Sequence, residues 1–171
     1  MHHEIERKFL IQSIPRIKEV EATPNEEHFL QHGDLVEERI QKRGTSYEYE
    51  IKTLFGNHEW RRDKRTITKE EFLDLKARAP KGLFRDSYLL SKESPRLSIK
   101  KYQGEYRGLM FAQVEFDSHD EAERYEPLPW MGTEITNSRL GRDAWLLDLD
   151  REHFLEILNT EKNKFSMSIE Q

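Results

Sequence analysis

The chain has 171 residues, enough for one domain with a substantial core, and 28 Lys and Arg against 33 Asp and Glu give it a net charge of −5. This balance argues against a general DNA-binding protein. No apolar run approaches the roughly 18 residues of a membrane helix, no signal region precedes the charged N-terminus, and cysteine is absent. We therefore expect a soluble, single-domain, cytoplasmic protein without disulfides, thiolate metal sites or a membrane partner.

Apolar and polar residues alternate along several segments, which is typical of β-strands with one polar face. In the first segment, residues 4–11, Ile5, Phe9 and Ile11 alternate with charged residues until Leu10 ends the pattern. Glycine-containing turns at 42–45 and 56–57 predict two successive hairpins after it. Residues 15–24, between two prolines, receive no assignment. The further predicted strands are residues 35–41, 47–53, 59–67, 87–91, 97–102 and 109–116.

Three helices are predicted from their first residues. Thr68 and Ser118 each stand three residues before a glutamate, which is the capping-box pattern, and prolines at 80 and 127 end these helices. Asp150 predicts the start of a last helix over 151–161. The tail over 162–171 shows only weak periodicity, so no element is assigned to it.

Acidic and basic side chains share one face on five of the predicted strands. An open sheet with one solvent-exposed face explains such a pattern, and for a single strand it is the commoner arrangement. The alternative is a sheet that closes into a barrel with its charges inside. The residues on these polar faces are Glu4, Glu6 and Lys8; Glu37, Arg39 and Gln41; Glu48, Glu50 and Lys52; Arg96, Ser98 and Lys100; and Gln113 with Glu115.

A charged interior of this kind has a chemical use. Carboxylates two residues apart on a strand point the same way, about 6.5–7 Å from each other, and with a third from a neighbouring strand they can hold a hard divalent cation. Lysine and arginine on facing strands bind phosphate oxygens. The two sets together describe a site for phosphate and metal.

Several segments resemble one family. Residues 4–8, Glu-Ile-Glu-Arg-Lys, resemble the Glu-x-Glu-x-Lys signature of CYTH-domain proteins, the triphosphate tunnel metalloenzymes. Arg39 and Lys52 stand where the family's second and third strands carry bases. Residues 111–116 resemble its late Glu-Val-Glu-Phe strand, and residues 129–136 resemble its Pro-x-Trp-x-Gly-x-Glu-Val-Thr segment. The resemblance spans about residues 4–149, leaving the last helix and tail over 150–171 outside it.

The resemblance implies an α+β fold: a closed eight-stranded antiparallel β-barrel, open at both ends, with helices packed on the outside. It also implies that the barrel binds a triphosphate with Mg²⁺ or Mn²⁺. By position, the metal ligands would be Glu4 and Glu6, with Glu115 and Glu134 as further ligands. The residues contacting phosphate would be Lys8, Arg39, Lys52 and Arg85.

Some positions depart from the family pattern. Where the fourth strand of the family has Arg-x-Glu-x-Glu, residues 60–66 do not retain both acids in either possible register, and they include Arg62. The usual Glu-x-Asp becomes Ser98-Ile99-Lys100, and Gln113 replaces a glutamate. Fewer acids weaken the binding of divalent metal, and a second metal ion more than the first. Arg62 and Lys100 make the interior more basic, and we add them to the phosphate-binding candidates.

The expected function is a metal-dependent hydrolase of inorganic triphosphate or another triphosphate-containing substrate, in which water attacks the terminal phosphorus. The residues identify no general base. The alternative is a catalytically degenerate protein that binds polyphosphate or another polyanion on the same fold. A class IV adenylyl cyclase ranks third, because no adenine-recognition feature is present. The expected partner is a small triphosphate or a polyphosphate, and a homodimer is left open.

Overall fold

The computed structural model describes residues 2–13, 15, 17, 19–56 and 59–170, except the side chains of His2 and of residues 166–170. The strands in this part are β1 (His2–Ile11), β2 (Ala22–His32), β3 (Val36–Arg43), β4 (Ser46–Phe55), β5 (Glu59–Thr66), β6 (Leu83–Ser91), β7 (Arg96–Gln103), β8 (Met110–Phe116) and β9 (Met131–Glu134). The helices are α1 (Lys69–Lys76), α2 (His119–Arg124), α3 (Asp143–Leu146) and α4 (Arg151–Glu170). None of the described helices is long and apolar enough to cross a membrane.

Eight of the described strands form a closed antiparallel barrel, which confirms the predicted fold. Each strand pairs with the next in the order β5-β4-β3-β2-β6-β7-β8-β1, and β1 also pairs with β5, which closes the ring. The ninth strand, β9, pairs with the C-terminal half of β1 and lies outside the ring. Gly44 has a φ of 58° at the turn between β3 and β4, where the predicted hairpin requires a glycine.

The strand β2 is an element that the sequence did not predict. Its side chains at residues 25–28 are polar on both faces, so they show no apolar alternation. Asn25 and Glu27 point inward, whereas His28 points outward and is nevertheless buried. The imidazole of His28 lies 6.0 Å from the ring of Phe72 in α1 and hydrogen-bonds to the carbonyl oxygen of Ala79.

Two helices cover parts of the barrel's outer face, as predicted. The side chain of Phe72 in α1 packs on Ile40 and Ile67, and Ala122 in α2 packs beside Phe9. Thr68 and the predicted capping box are present in α1, which ends at Lys76, before Pro80. In α2, Ser118 accepts a hydrogen bond from the backbone of Glu121, but the Glu121 carboxylate accepts from the backbone of Asp117 instead. The capping box is therefore complete only at α1.

One end of the barrel is covered, which differs from the implied barrel with two open ends. Residues 139–146, including α3, lie across the end where β1 finishes, and Leu140 and Leu146 are fully buried there. Phe154 of α4 packs in the same cluster. The inward-facing side chains of the barrel that join this apolar cluster are Leu10, Phe29, Leu83, Tyr102 and Phe111. This part of the interior is thus filled by an apolar core, and we call it the covered end.

Gly141 is tightly enclosed within the covered end. A Cβ atom at this position would lie 2.0 Å from the carbonyl oxygen of Ile135, so the backbone would have to shift. We expect Gly141→Ala to lower the free energy of unfolding by about 2–3 kcal/mol, the upper part of the usual range for overpacking. At about 2–4 °C per kcal/mol, Tm should fall by roughly 4–12 °C in calorimetry.

Gly33 provides the matched control, because a Cβ atom there would meet no heavy atom within 4 Å. Gly33→Ala should leave Tm within about 2 °C of the wild-type value, as is usual for surface substitutions. Equal Tm values for Gly141→Ala and the wild type would show that the covered end accommodates the added methyl group without loss of stability.

Candidate active site

The remaining interior of the barrel is a charged cavity of about 670 Å³, which is within the usual range of ligand sites. All eight strands of the ring contribute to its wall, together with residues 141–143 of the covered end. The wall carries ten Lys and Arg against seven Asp and Glu, so it is basic although the whole chain is acidic. The exposed side chains of Arg43, Lys64 and Arg96 line the opposite end, which we call the mouth.

Three carboxylates converge in this wall. Glu4 and Glu6 point inward from β1, and Glu115 stands opposite Glu6 on β8. Each of the three offers an oxygen within 4.8 Å of the others. Glu6 is buried, and its Oε2 atom has no hydrogen-bond partner among the described residues. The predicted acids of β1 and β8 are therefore brought together.

The electrostatics of this acidic group favour a cation. Burial, and then the negative charge of Glu4, raise the pKa of Glu6 to about 7. Burial acts in the same direction on Glu4, but the hydrogen bond with Glu6 and the charges of Lys52 and Arg62 hold its pKa well below the ordinary value. The two carboxylates thus share one proton near neutral pH. Divalent cations prefer carboxylate oxygens, so the group fits Mg²⁺ or Mn²⁺.

Glu134 is not part of this group, and we correct the predicted ligand set accordingly. It is exposed on β9, outside the ring of eight strands. The Arg7 guanidinium, on the outward face of β1, donates to its two carboxylate oxygens at 2.9 and 2.7 Å. Glu134 is the register partner of Phe9 on β1 and, like Phe9, points away from the cavity, so the geometry does not bring it to Glu4 and Glu6.

The three predicted phosphate-binding arginines line the cavity, and each pairs with buried acids. Arg39 Nη1 donates to Glu27 at 2.9 Å, and Arg39 Nη2 lies 2.9 Å from Glu50. Arg62 contacts Glu50 at 2.7 Å and also bonds to Glu4. Arg85 contacts Glu27 at 3.1 Å and Asp143 at 2.7 Å. These ion pairs fix the orientation of the guanidinium groups before any ligand binds.

The predicted lysines also lie in the wall. Lys8 Nζ is 3.3 Å from Glu6 and donates to the carbonyl oxygen of Gly141 at 2.7 Å. Lys52 Nζ stands 4.7 Å from the centre of the Trp60 ring. Lys100 Nζ donates to Ser87 Oγ at 2.8 Å and forms no ion pair with any described residue. Burial, and then the charges of Arg85 and Arg43, lower the pKa of Lys100 to about 7.

Sequence reasoning missed several charged residues at the covered end. Asp143 accepts hydrogen bonds from Arg85 and Tyr102, and despite its burial the Arg85 charge holds its pKa below the ordinary value. Arg142 bonds to Glu37 at 2.6 Å and stacks between the rings of two tryptophans. In the sequence, an adjacent base and acid between apolar residues, as at 140–146, is the signal that could have indicated these residues.

Comparisons with known proteins agree with this geometry. The chain is 30% identical over 142 residues to an inorganic triphosphatase of Nitrosomonas europaea, covering 80% of this chain and 91% of that protein. The crystal structure of an inorganic triphosphatase matches it with a TM-score of 0.62 and 27% identity, over 85% of this chain and 95% of the other. A conserved hypothetical protein of Pyrococcus furiosus, at 15% identity, shares the fold with a TM-score of 0.55 over 70% and 82% of the two chains. No family model matches the chain.

Proposed function

The chain belongs to the triphosphate tunnel metalloenzyme (CYTH) family, and from this membership we propose that it hydrolyses inorganic triphosphate with the help of a divalent cation. One observation carries the proposal: a group of three acids and a set of cavity-lining arginines and lysines face the same cavity. Phosphoryl transfer needs both, because it depends mainly on positioning and on stabilising negative charge.

The basic wall binds and orients the substrate. Arg39, Arg62 and Arg85 are held by acids and line the cavity, where phosphate oxygens would contact them. Lys8 and Lys52 add positive charge beside the acidic group. Because ion pairs already fix the arginines, little reorganisation is needed when phosphate oxygens arrive.

The acidic group is the proposed metal site. Glu4, Glu6 and Glu115 would hold Mg²⁺ or Mn²⁺, which would supply positive charge to the phosphate oxygens as the bond to the terminal phosphorus breaks. The choice between these two ions, and the metal dependence itself, are part of the proposal.

Lys100 is our candidate for the proton acceptor that the sequence did not identify. With a pKa of about 7, its amine is largely neutral in mildly alkaline solution and is then able to take a proton from attacking water. It lines the cavity, and its Nζ atom is held by Ser87. Proton transfer by Lys100 is proposed in addition to the phosphate binding predicted for this residue.

The proposal is tested by measuring phosphate release from tripolyphosphate, pyrophosphate and a nucleoside triphosphate, with Mg²⁺, with Mn²⁺ and with a chelator. We expect tripolyphosphate with metal to be hydrolysed fastest. The rate should fall as pH decreases below about 7, because Glu6 and Lys100 both take up protons there. Binding of tripolyphosphate without release under any condition would favour the polyanion-binding alternative.

In the same assay, Lys100→Arg separates proton transfer from phosphate binding. Arginine keeps the positive charge but cannot lose its proton. We expect kcat to fall by about 100-fold or more, as for other general bases, while binding of tripolyphosphate persists. A variant with wild-type kcat would remove Lys100 from proton transfer.

A further inference from the structure

Glu27 stands directly behind the basic wall of the cavity. It is fully buried on β2, between β3 and β6, and it does not itself line the cavity. Its Oε1 atom lies 2.9 Å from Arg39 Nη1 and 3.1 Å from Arg85 Nη2. A single carboxylate oxygen thus ties together two arginines from different strands, and both of these arginines face the cavity.

The other oxygen of Glu27 is incompletely satisfied. No donor among the described residues reaches Oε2, although this atom is buried. The Asp143 carboxylate, which also pairs with Arg85, is near enough to hydrogen-bond with Glu27 when a proton lies between them. Glu27 therefore has a place for a proton, and its negative charge is balanced only by arginines that the ligand also needs.

We propose that Glu27 positions Arg39 and Arg85 for phosphate and takes up a proton when a triphosphate binds against them; this inference rests on the proposed function. The bound anion draws on the positive charge of the same two guanidinium groups from the cavity side. A buried carboxylate that loses part of its compensating charge is unfavourable, and protonation removes that penalty.

The charges around Glu27 agree with this coupling. Burial raises its pKa to about 7, with Asp143 acting in the same direction and Arg85 and Arg39 opposing it. The negative charge of a ligand would raise the pKa further, so at about pH 8 the free protein holds Glu27 ionised and the complex holds it protonated. The other charged or titratable groups that act on it are Tyr102 and Lys100, both on β7.

Glu50 provides an internal contrast, because it pairs with the same Arg39. It is also paired with Arg62 and lies 3.7 Å from Lys64. Although burial opposes ionisation, the charges of Arg39, Lys52 and Arg62 lower its pKa to about 2. Glu50 should therefore stay ionised when the ligand binds, which leaves Glu27 as the carboxylate behind this wall that takes up the proton.

Calorimetry of tripolyphosphate binding to the full chain tests the inference. Titrations run in a chelator at pH 8, in buffers of different ionisation enthalpy, give the number of protons taken up. We expect Glu27→Gln to take up fewer protons than the wild type, by up to about one. Protons of the ligand itself contribute equally to both proteins. As pH increases, the affinity for tripolyphosphate should fall more steeply in the wild type than in Glu27→Gln, by up to about tenfold per pH unit.

Two variants serve as controls. Glu26→Gln changes the neighbouring glutamate on the same strand, which points outward to His28 and Lys76, and should leave the proton uptake unchanged. The double variant Lys100→Arg/Glu6→Gln removes the two cavity-lining groups whose pKa also lies near 7, so any uptake that remains in it belongs to Glu27. Glu27→Ala should bind more weakly than Glu27→Gln, since only glutamine can still accept hydrogen bonds from the two arginines.

The possible results separate this inference from the proposed function. Equal proton uptake by the wild type and Glu27→Gln would overturn the inference, as would a wild type that shows no uptake once the protons released by the ligand are subtracted, even if the variant fails to fold. Absence of tripolyphosphate binding to the wild type, with and without metal, would instead overturn the proposed function.

Discussion

Glu6→Gln should lower kcat/KM for tripolyphosphate in the presence of Mg²⁺ by at least about 100-fold, because it removes one of three converging carboxylates from the proposed metal site. The amide keeps the size of the side chain but not its charge. Metal-free binding of tripolyphosphate should be unchanged or tighter, since a negative charge has left the cavity. Phosphate release measured over a Mg²⁺ titration, with calorimetry in a chelator, checks both parts.

Glu134→Gln is the matched control for that experiment. It makes the same chemical change at the glutamate that the structure places outside the barrel, beside Arg7. We expect its kcat/KM to stay within about threefold of the wild-type value, as for a surface ion pair. A large loss in Glu134→Gln together with full activity in Glu6→Gln would reverse our assignment of the acidic group.

Arg39→Leu should destabilise the fold by about 3 kcal/mol or more at pH 8, which is the usual effect of removing one partner of a buried ion pair. The Arg39 guanidinium is buried and pairs with both Glu27 and Glu50. Leucine leaves two buried carboxylates with less compensating charge. At about 2–4 °C per kcal/mol, Tm should fall by roughly 6–12 °C.

The loss of stability in Arg39→Leu should depend on pH. Without Arg39, the pKa of Glu27 rises further above its value in the unfolded chain. Wild-type Glu27 ionises near pH 7, whereas in the variant it stays protonated to higher pH, so the destabilisation grows as pH increases above about 7 and shrinks below it. Denaturant unfolding at several pH values measures this loss of stability.

Arg96→Leu, at the exposed mouth, is the control and should change the free energy of unfolding by less than about 0.5 kcal/mol. A pH-independent loss in Arg39→Leu would exclude Glu27 as its origin.

The parts of the fold that were predicted correctly are those where one strand face is charged and the other apolar. β1 shows this most clearly: Glu4, Glu6 and Lys8 point into the cavity, and Phe9 packs outside. The point at which this alternation stops also has a physical reason. Leu10 points inward like the charged residues before it, but at that depth the barrel is filled by the apolar core of the covered end.

The parts that were missed lack such a pattern. On β2 the inward Glu27 and the outward His28 are both polar and both buried, so no alternation marks the strand. Asp143 begins the short helix α3, whose place across the barrel depends on contacts with distant strands. Glu134 shows the opposite error: its motif is present, but the strand that carries it lies outside the ring. The metal-ligand role of Glu4, Glu6 and Glu115 stays a prediction.

The covered end also limits how a polymer could meet the acidic group. Residues 139–146 lie across the far end of the barrel, above an apolar core, and are anchored there by Asp143 and Arg142, so the described residues leave a linear chain that enters from the mouth no path to the other side. Only a terminus can be placed deep inside. An enzyme of this shape would shorten a long polyphosphate one end at a time, and a ring of phosphates, which has no terminus, would escape it.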